Sequence, residues 1–284
     1  MVAAAVLEDR SVRFNLKRAL FILPNLFTLS SIFCGFYAIV VCTSEDAPGA
    51  VEGPEAFFRA SLLIVFAMFF DIIDGRVARL TKTQSAFGVQ IDSLADLVSF
   101  GVAPAILVYR WSLATLGVWG ALASFVFLAC GAIRLARFNV LAMGAEGAPK
   151  KPSRFIMGLP IPGAAGILVS LIVANYAVTG LLEAEPTVVV GVVLALSFFM
   201  VSTVRFRSFK DVKLSVRSVV MVLLTVASAI VVAVVYHPSF ALVWLLVGYV
   251  LLAVVEAVMD LSRRARGKPS KLVDEPAKDE RRKH

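Results

Sequence analysis

Thiol and imidazole chemistry have almost no place in this chain. Its three cysteines, Cys34, Cys42 and Cys130, fall in or beside apolar runs without paired or metal-type spacing. That excludes a disulfide framework and leaves them as small buried hydrophobes. Of the two histidines, His237 stands between Tyr236 and Pro238 in a short turn and is assigned no chemistry. The first residues lack the basic flank, short apolar core and small-residue cleavage site of a signal peptide. No basic soluble face is visible, so nucleic acid is not expected as a partner.

Charge is also scarce: 17% of the 284 residues are charged against 59% hydrophobic, with a mean hydropathy of +0.86. A soluble core of this length could not bury so much apolar surface, so the chain is expected in a membrane. Apolar runs of about 20 residues suit a helix that crosses a bilayer. They recur near 19–43, 57–80, 93–114, 116–142, 157–180, 186–203, 218–236 and 239–261. The fold class is therefore all-α, a polytopic membrane helix bundle. The split between the third and fourth runs, around Arg110 and Trp111, is the least marked.

Upstream, Val12, Leu16, Leu20 and Leu23 alternate with Arg13, Lys17 and Arg18, the pattern of an interfacial amphipathic helix, which Pro24 is expected to end. Four divisions follow: an N-terminal segment 1–18, a six-helix core 19–203, a loop with two further spans 204–262, and a charged tail 263–284 expected to be disordered. Basic residues gather before the first span and after the second, fourth, sixth and eighth. Acidic ones (Glu45, Asp46, Glu52, Glu55, Glu183, Glu185) occupy the alternate loops. By the positive-inside rule both termini face the cytoplasm. The net charge of +8 suits an anionic lipid surface.

Against this background, Asp71 to Asp96 stands out. Four carboxylates sit where the second span ends and the third begins. Asp71 and Asp74 lie one helical turn apart, with Gly75 and Ala78 keeping the face narrow; Asp92 and Asp96 are spaced i, i+4. Residues Leu80 to Gln90 are expected as a polar loop, and Asp92, Ser93, Asp96 and Ser99 as one stripe of the next helix. Ionisable groups at membrane depth mark a functional site. Converging aspartates offer the hard oxygen ligands that Mg2+ or Mn2+ prefers, and Arg79 beside a phosphate would bind it bidentately. Asn25 and Thr28 place polar groups near the same surface. Arg134 and Arg137, one turn apart before Asn139, are either snorkelling anchors or a basic site for a carboxylate or phosphate. Glu256 and Asp260, beside Arg263 and Arg264, form a surface ion-pair face. In G-L-P-I-P-G-A-A-G, from Gly158, two prolines at a helix entry are expected to need local backbone repair.

At Asp74, Gly75, Ala78, Arg79, Gly88, Asp92 and Asp96 the chain resembles the CDP-alcohol phosphotransferase signature D-G-x2-A-R-x8-G-x3-D-x3-D at every fixed position. Asp71 is similar to that family's additional upstream aspartate. The resemblance covers about the first 200 residues and implies a six-helix core, the last two spans being an extension. It implies transfer of a substituted phosphate from CDP-diacylglycerol to an alcohol, with release of CMP. Asp71, Asp74, Asp92 and Asp96 would hold two divalent ions, Mg2+ or Mn2+, and Asp96 would also accept the proton. Gly75, Ala78, Arg79, Ser85 and Gly88 fall where the family contacts the CDP-lipid, and Asn25 and Thr28 resemble its first-helix contacts. A homodimer in a bacterial inner (cell) membrane is expected.

For the acceptor, N-L-F-T-L-S, A-I-R-L-A-R-F-N and G-L-P-I-P-G-A-A resemble the branch that uses L-serine, whose carboxylate Arg134 or Arg137 would hold. Glycerol 3-phosphate, inositol phosphate or choline are the alternatives within the family. A cation-coupled transporter would also place acids inside a bundle. Transporters often show repeated halves, and no second copy of the aspartate pattern occurs in residues 140–284.

Overall fold

With no water in a bilayer core, each backbone N–H and C=O must find its partner within its own segment, and helices result. The computed structural model describes residues 16–44, 53–81, 85–142, 155–177, 185–202 and 205–207, with isolated positions at 228, 231 and 248. The residues before Leu16, most of the two C-terminal spans, His237 and the charged tail lie outside the described residues.

The elements in order are α1 (Leu16–Thr43), α2 (Pro54–Thr81), α3 (Ala86–Asp96), a π-helical segment (Leu97–Val102), α4 (Ala103–Trp111), a 3-10 turn (Leu113–Leu116) and α5 (Val118–Ala142). They are followed by β1 (Phe155–Met157), α6 (Ile161–Ala177), α7 (Pro186–Val201) and β2 (Arg205–Arg207). By length and composition Asn25–Thr43, Pro54–Thr81, Phe87–Trp111 and Val118–Leu141 can each cross a membrane; Ile161–Ala177 and Pro186–Val201 are shorter apolar helices. These six correspond to the first six runs in the sequence. The uncertain split near Arg110 is real: α4 ends at Trp111, and Gly117 turns with φ +55° before α5 begins.

Local sequence explains several boundaries. Pro54 and Pro186 open α2 and α7, where the missing N–H would have no helical partner anyway. The same holds for α6, with Pro160 just outside and Pro162 in its first turn, so no repair is needed; Ala164 N–H donates normally to Pro160 O at 3.0 Å.

Three features differ from expectation. First, α1 continues through Pro24 instead of ending there, because one lost hydrogen bond does not outweigh the long apolar run that follows. Second, the expected loop 80–90 is much shorter. Helix α2 extends to Thr81 and α3 starts at Ala86, capped by Ser85, whose Oγ accepts from Gly88 N–H at 2.9 Å. Third, β1 and β2 pair as a small antiparallel ribbon with Ile156 opposite Phe206, tying the entry of α6 to the exit of α7.

Small residues let the helices approach closely. Ala38, Ala60, Ala67, Ala103, Ala164 and Ala165 are buried around Ile64, Phe100 and Leu107. Large side chains such as Phe33, Phe36, Phe66, Trp119 and Phe125 point outward, as lipid allows and water would not. Thr28 of α1 meets Asp74 of α2, Asn25 of α1 lies near Gly88 of α3, and Asn139 of α5 meets Ser93 of α3, so the start of α1, the end of α2, the start of α3 and the end of α5 share one end of the bundle.

Candidate active site where α1, α2, α3 and α5 meet

Three of the four aspartates meet. Asp71 and Asp74 from the last turns of α2 meet Asp92 from α3, with one oxygen of each within 4.8 Å of the others. Asp74 is buried at 4% exposure; Asp71 and Asp92 are half-buried. At such separations a pair of unit like charges repels by about 3 to 4 kcal/mol for an effective dielectric near 20. A divalent cation at their centre would turn that repulsion into attraction. The set is oxygen-only and partly open, which fits Mg2+ or Mn2+ and not a soft-ligand metal.

Asp96 lies outside this trio, one turn further along α3. It stands in electrostatic range of Asp71, Asp92 and Asp74, and with opposite sign of Arg134 on α5. Its Oδ1 is buried and has no hydrogen-bond partner among the described residues. An unsatisfied buried carboxylate oxygen asks for a cation or a proton donor.

Three polar links hold these helices in register. Thr28 Oγ1 on α1 donates to Asp74 Oδ2 at 2.8 Å. One turn on, Ser99 Oγ donates to Ser31 O at 2.9 Å, with the Ser31 and Ser99 hydroxyls 3.3 Å apart. On the other side, Asn139 Nδ2 of α5 donates to Ser93 Oγ at 2.9 Å. The expected stripe is therefore divided: Ser93 faces α5, Ser99 faces α1, and only Asp92 and Asp96 turn to the carboxylate cluster.

The remaining candidates are placed as follows. Asn25 approaches Gly88, where an added β-carbon would come within 3.2 Å of Ser85 Oγ and 3.9 Å of Asn25 Oδ1. At Gly75 the same atom would meet, among the described residues, only the Arg79 guanidinium, at 3.7 Å. Packing among the described residues thus does not require Gly75. Ala78 is half-buried, while Arg79 is exposed and within electrostatic reach of Asp74. The two arginines of α5 diverge. Arg134 is 9% exposed and in electrostatic range of Asp96, whereas Arg137 Nη1 donates to Val201 O at the end of α7, 3.2 Å away.

Sequence reasoning missed Ser31 and Gly35. Both continue a polar and small stripe, Asn25, Thr28, Ser31, Gly35, at helical spacing along α1, and that stripe is the signal that could have found them.

Fold and site together define an integral membrane protein with a carboxylate cluster suited to phosphate and divalent-metal chemistry. Residues 21–200 match the profile of the CDP-alcohol phosphatidyltransferase family, and the chain belongs to that family. The CDP-diacylglycerol–serine O-phosphatidyltransferase of Helicobacter pylori is 38% identical over 205 residues, spanning 72% of this chain and 80% of its own. The protein of the same name from Bacillus subtilis is 34% identical over 188 residues, 66% of this chain and 91% of its own. That from Saccharomyces cerevisiae is 39% identical over 150 residues, 52% of each.

Proposed function

We propose that this protein transfers the phosphatidyl group of CDP-diacylglycerol to the hydroxyl of L-serine, giving phosphatidylserine and CMP. The observation that carries it is the meeting of Asp71, Asp74 and Asp92 within 4.8 Å, in a chain whose relatives carry the serine-transferase name. Two divalent ions, Mg2+ or Mn2+, would be held by Asp71, Asp74, Asp92 and Asp96; when bound they neutralise charge on the diphosphate.

The residues divide the remaining work. The space over Gly75 admits the diphosphate, Arg79 reaches it from the rim, and Ala78, Ser85, Gly88 and Asn25 border the nucleotide side. Serine oxygen attacks the phosphorus that bears diacylglycerol. The bond from that phosphorus to the CMP oxygen breaks, and the hydroxyl proton passes to Asp96, whose Oδ1 has no partner among the described residues. Arg134, in electrostatic range of Asp96, holds the serine carboxylate and so brings the hydroxyl beside that oxygen. Arg137, engaged by Val201, has the weaker claim to the acceptor.

The alternation of charge supports a site on the cytoplasmic side, and a homodimer in a bacterial inner membrane completes the reading. The divisions 1–18, 19–203, 204–262 and 263–284 complete the proposed organisation, the core coinciding with the family match.

Purified protein in mixed micelles with CDP-diacylglycerol and Mn2+ or Mg2+ should release CMP with L-serine, and chelation should abolish it reversibly. Release with glycerol 3-phosphate, inositol phosphate or choline but not serine would refute the acceptor.

A further inference from the structure

We propose that Thr28 is a positioning residue for the carboxylate cluster: its hydroxyl holds Asp74 in one rotation beside Asp71 and Asp92. The inference rests on the reading that this cluster takes divalent ions.

Resemblance to the family makes Thr28 a contact for the CDP-lipid, but the geometry favours a different use of its proton. A threonine hydroxyl has a single O–H to donate. Here that O–H points at Asp74 Oδ2 over 2.8 Å. Both residues are 4% exposed, so water does not compete for the bond. A hydroxyl donating to Asp74 cannot donate at the same time to a nucleotide.

Thr28 is itself held firmly. One turn further along α1, Ser31 is joined to Ser99, and after another turn Gly35 lies against the Ser99 backbone. The hydroxyl is therefore presented from a helix that cannot slide or rotate without breaking those contacts. A carboxylate turns easily about its terminal bond. Binding a cation with Asp71 and Asp92 requires one orientation, and a fixed donor on Asp74 Oδ2 selects it before the ion arrives. Groups that orient metal ligands in this way typically change metal affinity about 10- to 100-fold when removed.

The test measures metal uptake and does not depend on turnover. Wild type, Thr28→Ser and Thr28→Val are purified in detergent without CDP-lipid, and Mn2+ binding is followed by calorimetry and by the spin resonance of free Mn2+. Thr28→Val should weaken Mn2+ binding about 10- to 100-fold, while Thr28→Ser, which keeps the donor, stays near wild type. At saturating Mn2+ the KM for CDP-diacylglycerol should not move in either variant. The proposal is overturned if Thr28→Val binds Mn2+ like wild type, if Thr28→Ser loses as much as Thr28→Val, or if only the KM for CDP-diacylglycerol changes. Thr28→Cys, with similar volume and a far weaker donor, makes the same comparison should the valine variant not fold. Wild-type protein that takes up no Mn2+ would overturn the metal reading of the cluster as well, an outcome distinct from equal binding by all variants.

Discussion

Replacing Gly35 by alanine tests whether the α1 contact with the π-helical segment sets the geometry of the carboxylates. An added β-carbon would lie 2.7 Å from Ser99 Cα, 2.9 Å from its Oγ and 3.1 Å from its Cβ. Carbon atoms ordinarily rest about 3.5 to 4.0 Å apart, so α1 and the π-helical segment must part by about 1 Å. The obstacle includes backbone, and no rotamer change removes it. Overpacking of this kind costs about 1 to 3 kcal/mol. Stretching the Ser31 and Ser99 hydrogen bonds adds about 0.5 to 1.5 kcal/mol, offset by about 0.5 to 1 kcal/mol for alanine over glycine within a helix. The net expectation is roughly 1 to 3 kcal/mol of destabilisation.

Ser99 follows Asp96 by less than one turn, so the displacement carries into the site, where an error of about 1 Å can cost 10²-fold in rate. Thermal unfolding in detergent and CMP release measure the two effects. Gly191 on α7 is the control: among the described residues nothing lies within 4 Å of its β-position, and Gly191→Ala should be neutral or stabilising with full activity. Gly35→Ala indistinguishable from Gly191→Ala would refute the close contact. Lowered stability with full activity would refute its connection to Asp96.

Asp96→Asn should reduce CMP release by about 10²- to 10⁴-fold, the usual worth of a positioned base, while circular dichroism and gel-filtration elution stay those of wild type. Ser93→Ala and Asn139→Ala should each destabilise the bundle, with a coupling of about 0.5 to 1.5 kcal/mol in a double-mutant cycle read by unfolding; strict additivity would deny the link between α3 and α5. Arg134→Ala should raise the KM for serine at least tenfold, about the loss of one charge-assisted hydrogen bond, and leave that for CDP-diacylglycerol alone. Arg137→Ala should instead lower the melting temperature with little change in either KM, because its Nη1 ties α5 to Val201 at the end of α7.

Much of the architecture could be inferred from one dimension because lipid leaves the backbone few choices. A run such as Pro54 to Phe70 must be helical, and once it is, Asp71 and Asp74 share a face by arithmetic. The same reasoning brought Asp92 beside Asp96. It failed where one residue competes with its surroundings: Pro24, a helix breaker by local rule, is carried inside α1. It failed again where two distant segments meet. Thr28 and Asp74 are 46 residues apart, as are Ser93 and Asn139, and Ser31 and Ser99 are 68 apart. Each partner alone resembles an ordinary helix hydroxyl or cap, and nothing in the local pattern selects its mate.

The π-helical segment shows why the division falls where it does. In a regular α-helix Ser99, seven residues after Asp92, would lie within about 20° of it and face the cluster. Instead Leu97–Val102 winds more widely, Ala103 N–H reaching back to Val98 O, and Ser99 is turned to α1. The local cause is visible in retrospect: Pro104 brings no N–H to the ladder, and a wider turn just before it is one way for a membrane helix to accommodate the loss. Regular winding therefore lasts through Asp96 and stops immediately after. The residues assigned to chemistry lie on the regular side, where spacing predicts position. Those that lock α3 against α1, Ser99 with Ser31 and Gly35, begin where the helix changes its period, so the same wider turn that hid them from the sequence pattern is what aims them at α1 and holds Asp96 toward Asp71.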